Sequence, residues 1–208
     1  VVEEVAIAAA DGTATGTTNE SIDASNVTSA TAIALTGNAG DNTLTGNAQI
    51  NTITGGAGVD TITGGAGADT IDGGAGADVF LIAAAADHAV GETIAGGAGA
   101  DTIRFTSTTP TETLTLLAGV TDVDNAITVE ISDDAGLNTG TTALNVNADA
   151  LANTLAVTLI GNDGDNVLVG NAIADTITGG AGVDTITGGA GADAIDGGAG
   201  ADVFLIAA

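Results

Sequence analysis

The sequence predicts an all-β chain folded as a parallel β-roll, a form of β-solenoid with glycine-rich turns, and three observations predict it. First, a nine-residue phrase, GGAGxDxIx, is stacked without gaps as GGAGVDTIT from Gly55, GGAGADTID from Gly64 and GGAGADVFL from Gly73. It returns from Gly179, Gly188 and Gly197. A tandem period of this length, with glycine, aspartate and one apolar residue at fixed places, marks a solenoid whose every repeat is one turn and one short strand. Second, the 208 residues include three Phe and no Trp, Tyr or Met. Ile, Val, Leu, Ala and Thr alone fill a globular core poorly, but suit a solenoid one side chain deep on each face. Third, the eighth residue of each phrase lies between two outward neighbours, so strand alternation points it inward.

The elements follow in order. Residues 1–36 read as spacer β-rungs of a partial repeat unit. Residues 37–104 form a first β-roll block. It opens with weakened phrases, GNAGDNTLT from Gly37 and GNAQINTIT from Gly46, ahead of the three strong copies. After Ile82–Ala86, DHAVGETIA from Asp87 is a degenerate turn and GGAGADTIR from Gly96 restores the phrase. Residues 105–160 are spacer rungs again, with strands at LTLL from Leu114, AITVEI from Ala126, ALNV from Ala143 and LAVTLIG from Leu155; Ile127, Val129 and Ile131 alternate as a half-buried strand does. These continue the solenoid as longer rungs, the alternative being an inserted β-sandwich. Residues 161–208 form the second block, with GNDGDNVLV from Gly161 and GNAIADTIT from Gly170 before the strong copies. The predicted core is Leu44, Ile53, Ile62, Ile71, Phe80 and Ile103, then Leu168, Ile177, Ile186, Ile195 and Phe204.

A second period lies above the first. Gly37 maps to Gly161, Gly55 to Gly179 and Phe80 to Phe204, each 124 residues on. The offset extends into the spacers, where Gly12, Gly16, Thr17 and Thr18 meet Gly136, Gly140, Thr141 and Thr142. The stop at Ala208 within a copy suggests a segment of a longer repetitive polypeptide.

Composition excludes several partners. The formal charge is −26, with Arg104 the one basic residue. Nothing neutralises phosphates, which argues against nucleic-acid binding and against an anionic membrane surface. There is no Cys to form a disulfide. No run of about 18 apolar residues predicts a membrane-inserted helix, and no basic n-region marks a signal peptide.

The spacing also points to a ligand. Glycine at the first, second and fourth positions permits backbone angles closed to residues with a Cβ and lets carbonyls face an ion. The sixth-position Asp adds a carboxylate. Calcium takes about 6–8 oxygens of these two kinds. The candidate carboxylates are Asp60, Asp69, Asp78, Asp101, Asp175, Asp184, Asp193 and Asp202. The candidate turn glycines are Gly56, Gly58, Gly65, Gly67, Gly74 and Gly76, with Gly180, Gly182, Gly189, Gly191, Gly198 and Gly200. Without cations such rows of carboxylates repel one another, which predicts a chain that folds on binding metal.

The phrase resembles the RTX (repeats-in-toxin) nonapeptide, consensus GGxGxDxUx with U a large apolar residue, over Gly55–Leu81, Gly96–Arg104 and Ala174–Leu205. The resemblance implies a right-handed parallel β-roll with two nonapeptides per coil and calcium shared by repeats n and n+2. It pairs Asp60 with Asp78, Asp184 with Asp202 and Asp175 with Asp193. It turns Asp69 toward Asn51 and the Glu92 turn, and leaves Asp101 without an assigned partner. Asn42, Asn51 and Asn166 replace the sixth-position Asp, and Asn replaces the second Gly at 38, 47, 162 and 171, so these coils are expected to be capping or calcium-poor. Asp41 and Asp165, one place early, are candidates to compensate.

Other residues receive plainer readings. His88 sits in a degenerate turn with no partner in the pattern. Arg104 is expected in a surface salt bridge. Asp122 with Asp124, and Asp133 with Asp134, are acidic pairs outside any glycine-supported loop and read as solvated turns, a further calcium site being the alternative. Thr at the seventh and ninth positions faces outward as a β-former. No GxSxG or HExxH occurs, so no enzyme chemistry is predicted. The function expected is a calcium-stabilised structural segment of a secreted surface-layer, filament or adhesin protein, located extracellularly or at the cell surface and able to self-associate. The alternative is an accessory folding and secretion module of an RTX enzyme or toxin.

Overall fold

The computed structural model describes residues 3–6, 16–28, 32–122, 124, 126–151 and 154–205; Gly12 of the 124-residue correspondence lies outside them. The chain divides into two compact units. One comprises residues 1–82, 86–102 and 119–124, the other residues 83–85, 103–118 and 125–208. Each is a parallel β-solenoid.

In the first unit, one ladder stacks Glu3–Ala6, Ile33–Thr36, Thr52–Ala57, Thr70–Ala75, Thr93–Ala98 and Val120–Thr121. A second ladder stacks Ser21–Asp23, Thr43–Thr45, Thr61–Thr63 and Val79–Ile82. The chain alternates between ladders, so each nonapeptide lays down one strand and repeats two apart become neighbours. Thr43 accordingly pairs with Thr61 and Leu44 with Ile62, and Ile53 pairs with Ile71. The inward residues meet between the ladders: Leu44, Ile62 and Phe80 from one, Ile53, Ile71 and Ile94 from the other, all buried.

In the second unit, Ala126–Ile131, Ala156–Ile160, Thr176–Thr178 and Ala194–Asp196 form one parallel ladder. Thr113–Thr115, Asn145–Asn147, Val167–Val169, Thr185–Thr187 and Val203–Leu205 form the other. Spacer strands and nonapeptide strands share these ladders, with Val146 paired to Leu168 and Leu159 to Ile177.

Three details depart from the periodic reading. On one ladder of the first unit the strands run six residues, through the second and third positions of the following phrase, because Gly56 pairs with Gly74 and Ala57 with Ala75. Ile195 and Phe204, predicted as core, are 38% and 50% exposed. They lie on the last described strand of each ladder, where no further described strand covers the inward side chain. The residues between Ile82 and the Glu92 turn contain a 3₁₀ helix, Ala85–Asp87, and lengthen that coil.

Replacing Ile62, which is fully buried, with Ala is expected to destabilise the folded chain by about 3 kcal/mol, the usual cost of truncating a core aliphatic. Replacing Val59, 48% exposed in the adjacent turn, should change stability by no more than about 0.5 kcal/mol. Urea unfolding in calcium checks both.

Candidate metal centres

The turns are built by glycines with two different duties. The second- and fourth-position residues have the left-handed backbone expected of them: φ is +119° at Gly56 and +96° at Gly58. The first-position glycine does not. A methyl group on Gly55 would instead overlap Asp60 Oδ2 and the carbonyl oxygen of Gly73 on the next coil. Glycine stands there because oxygens crowd against the backbone, a requirement of close approach and not of φ.

The sixth-position carboxylates form ladders of their own. Asp60 Oδ1 accepts the backbone N–H of Asn42 at 2.7 Å, and Asp78 Oδ1 accepts that of Asp60 at 2.8 Å. Asp101 Oδ1 continues the row by accepting the N–H of Asp78 at 2.8 Å, across 23 residues instead of 18. Asp69 Oδ1 accepts the N–H of Asn51 at 2.7 Å, while the Asp69 carbonyl receives the N–H of Thr93 at the degenerate turn. In the second unit Asp184 accepts from Asn166 at 2.8 Å and Asp202 from Asp184 at 3.0 Å. On the opposite edge Asp175 accepts from Val157 and Asp193 from Asp175, both at 3.1 Å. The structure therefore brings together Asp60 with Asp78, Asp184 with Asp202 and Asp175 with Asp193, and gives Asp101 a neighbour in Asp78.

One oxygen of each carboxylate is thus tied to the preceding coil. The other is not. Oδ2 of Asp60, Asp69, Asp78, Asp101 and Asp184 is buried with no hydrogen-bond partner. Buried anionic oxygens in this state are costly unless a cation meets them. Asp175 differs, because its Oδ2 accepts the N–H of Asn171 at 2.8 Å. Asp193 and Asp202 are half-buried.

The Asn-containing coils close themselves. Asn42 Oδ1 accepts the N–H of Asn38 at 2.7 Å, and Asn42 Nδ2 donates to Asn38 Oδ1 at 3.1 Å. Asn166 and Asn162 repeat this arrangement 124 residues on, at 2.9 and 3.1 Å. An amide supplies donor and acceptor together, so the turn is satisfied by protein alone. Asp41 and Asp165 do not enter these turns; each accepts an exposed backbone N–H, from Val59 at 2.8 Å and Val183 at 2.7 Å.

Burial pushes the carboxyls of Asp69 and Asp78 up to about 6, and it raises those of Asp60, Asp101, Asp122, Asp175 and Asp184 as well. Among the described residues no three His, Cys, Asp or Glu side chains cluster as a ligand set, so any centre here combines carboxylates with backbone carbonyls. That donor set, all oxygen with buried unpaired charge, fits a hard divalent cation.

The family model of the RTX calcium-binding nonapeptide repeat matches residues 35–60, 45–80, 91–104, 158–172 and 169–204. The chain belongs to the RTX calcium-binding nonapeptide repeat family. RTX repeat proteins are typically secreted. Comparison with curated proteins gave no match. Among the described residues no helix is long and apolar enough to cross a membrane.

Residues outside the RTX turns have structural partners. His88 is buried with Nδ1 3.6 Å from Glu92 Oε2, and Glu92 accepts the N–H of Ala89 at 3.0 Å. The sequence pattern gave His88 no partner; the fold places this acid beside it. Arg104 forms the expected salt bridge, with its side chain partly exposed. Its Nε donates to Glu130 Oε1 and its Nη1 to the Asp134 carbonyl at 3.2 Å, with the guanidinium packed over Gly136. Asp133 Oδ1 accepts the N–H groups of Ala135 and Leu137 at 3.0 and 2.9 Å and so caps a turn.

For the raised carboxylates the metal-free folded chain binds more protons than the unfolded chain between pH 3.8 and about 6. Its stability therefore falls as pH rises through that window and is greatest below it. Acidifying calcium-free protein from pH 7 to pH 5 should raise its folded fraction, read as β-structure by circular dichroism. Calcium affinity should move the opposite way, because protons and the ion compete for the same oxygens. A larger calcium-free folded fraction at pH 7 than at pH 5 would contradict this.

Proposed function

We propose that this chain is a calcium-stabilised structural segment of a secreted surface-layer, filament or adhesin protein, one that folds and self-associates on extracellular calcium. The observation that carries the reading is the row of buried carboxylates with one oxygen tied to the preceding coil and the other unpartnered. Calcium held by Asp60, Asp69, Asp78, Asp101 and Asp184, with turn carbonyls as neutral ligands, would turn mutual repulsion into a link between coils. Asp175, Asp193 and Asp202 would add the carboxylates of the remaining strong turns. The glycines at positions two and four, from Gly56 to Gly200, would keep the turns narrow enough for carbonyls to reach the ion.

The 124-residue correspondence supports a structural role rather than a catalytic one. The same Asn-closed coil begins both blocks, with Asn38 donating to the Thr18 carbonyl at 3.1 Å and Asn162 to that of Thr142 at 3.0 Å. A unit copied with its spacer is a device for extending length. The net charge of −26 favours assembly only where divalent ions are present.

Small-angle X-ray scattering across a calcium titration, beginning in chelator, tests the reading. The expected course is an expanded chain that becomes compact at millimolar calcium, followed by growth of mass into elongated or sheet-like particles. A chain that compacts and stays monomeric at high concentration would remove the self-association. A profile unmoved by calcium would overturn the metal assignment itself.

A further inference from the structure

The end of the first carboxylate row holds an acid that the nonapeptide pattern does not supply. Val120 pairs with Ile94 and Thr121 with Ala95, so Asp122 comes opposite Gly96, the first glycine of its phrase. On the preceding coils the corresponding residue offers a backbone carbonyl: Gly73 O toward Gly55, and Gly96 O toward Gly73. At Gly96 it is the carboxylate of Asp122 that takes this place. A methyl on Gly96 would sit 2.8 Å from Asp122 Oδ2 and closer still to Asp101 Oδ2, so the two oxygens converge on one point.

Each carboxylate is fixed by its other oxygen. Asp101 Oδ1 accepts the N–H of Asp78 at 2.8 Å, and Asp122 Oδ1 accepts the N–H of Asp124 at 2.7 Å. Asp124 in turn accepts the N–H of Gly99 at 3.1 Å, which ties the spacer turn to the fourth-position glycine of the same loop. Asp101 is 2% exposed, and Oδ2 of both Asp101 and Asp122 is buried without a hydrogen-bond partner. Two buried carboxylate oxygens that converge this closely repel each other when both are ionised, and a divalent cation held by both removes the conflict.

We propose that Asp101 and Asp122 together hold a divalent cation of the calcium class, at a centre whose second acid comes from the spacer and not from an RTX phrase. This rests on the calcium reading of the repeats. The spacer would then close the first block with a metal link instead of the Asn pair that opens it.

Native mass spectrometry in calcium tests the site, using the full chain, Asp122→Ala and Asp163→Ala, the last removing an exposed acid outside the rows. Asp122→Ala is expected to carry one ion fewer than the other two. Equal ion counts in all three would overturn the Asp122 site and leave the repeat centres standing, whereas an unmodified chain without bound calcium would overturn both. Should Asp122→Ala fail to fold, crystals of the unmodified chain grown with terbium decide the matter. An anomalous peak between Asp101 and Asp122 supports the site, and peaks at the repeat turns with none there overturn it.

Discussion

A sixth-position carboxylate of this chain faces two ways, one oxygen held by the coil before it and the other directed into the turn. The rest of the structure depends on that arrangement. The hydrogen bond from the preceding N–H fixes how far apart successive coils stand, and the unpartnered oxygen makes the stack electrostatically incomplete. Such a row cannot be neutralised from within the protein. Arg104 is the one basic residue, and it is engaged with Glu130. Compensation comes from outside the chain, as a cation or a proton, and whichever binds the folded form stabilises it.

The Asn-containing coils show the same geometry with the charge removed. Asn42 and Asn166 occupy the carboxylate position and still hand the row on, since their N–H groups donate to Asp60 and Asp184. Their amides bind the neighbouring Asn38 and Asn162 side chains, so these turns are satisfied by protein groups. A coil whose amides pair with each other gives the carboxylate-bearing coils a surface to stack against. This is how a quasi-one-dimensional fold, stabilised only by nearest neighbours, can begin.

Interruption of the period is absorbed locally. The inserted residues around the 3₁₀ helix Ala85–Asp87 lengthen one coil, yet Asp101 meets Asp78 as Asp78 meets Asp60. His88 and Glu92 pack inside the lengthened turn, where Glu92 accepts the Ala89 N–H. Parallel pairing of Thr93–Ala98 with Thr70–Ala75 restores the register beyond it.

The amino-acid pattern by itself determined the all-β solenoid and the alternation that buries Leu44, Ile53, Ile62 and Ile71, because a fixed nine-residue period with one inward apolar residue repeats the same turn and strand. The pairing of acids two phrases apart came from the likeness to the RTX repeat, and the ladders bear it out. The pattern did not determine what happens where the period breaks. The partner of Asp101 and the place of Asp122 depend on strand register across residues of unequal spacing, and register is a property of the assembled ladders. The reason for glycine at the first position was likewise hidden, since it lies in oxygens arriving from the loop's own Asp60 and from Gly73 one coil away.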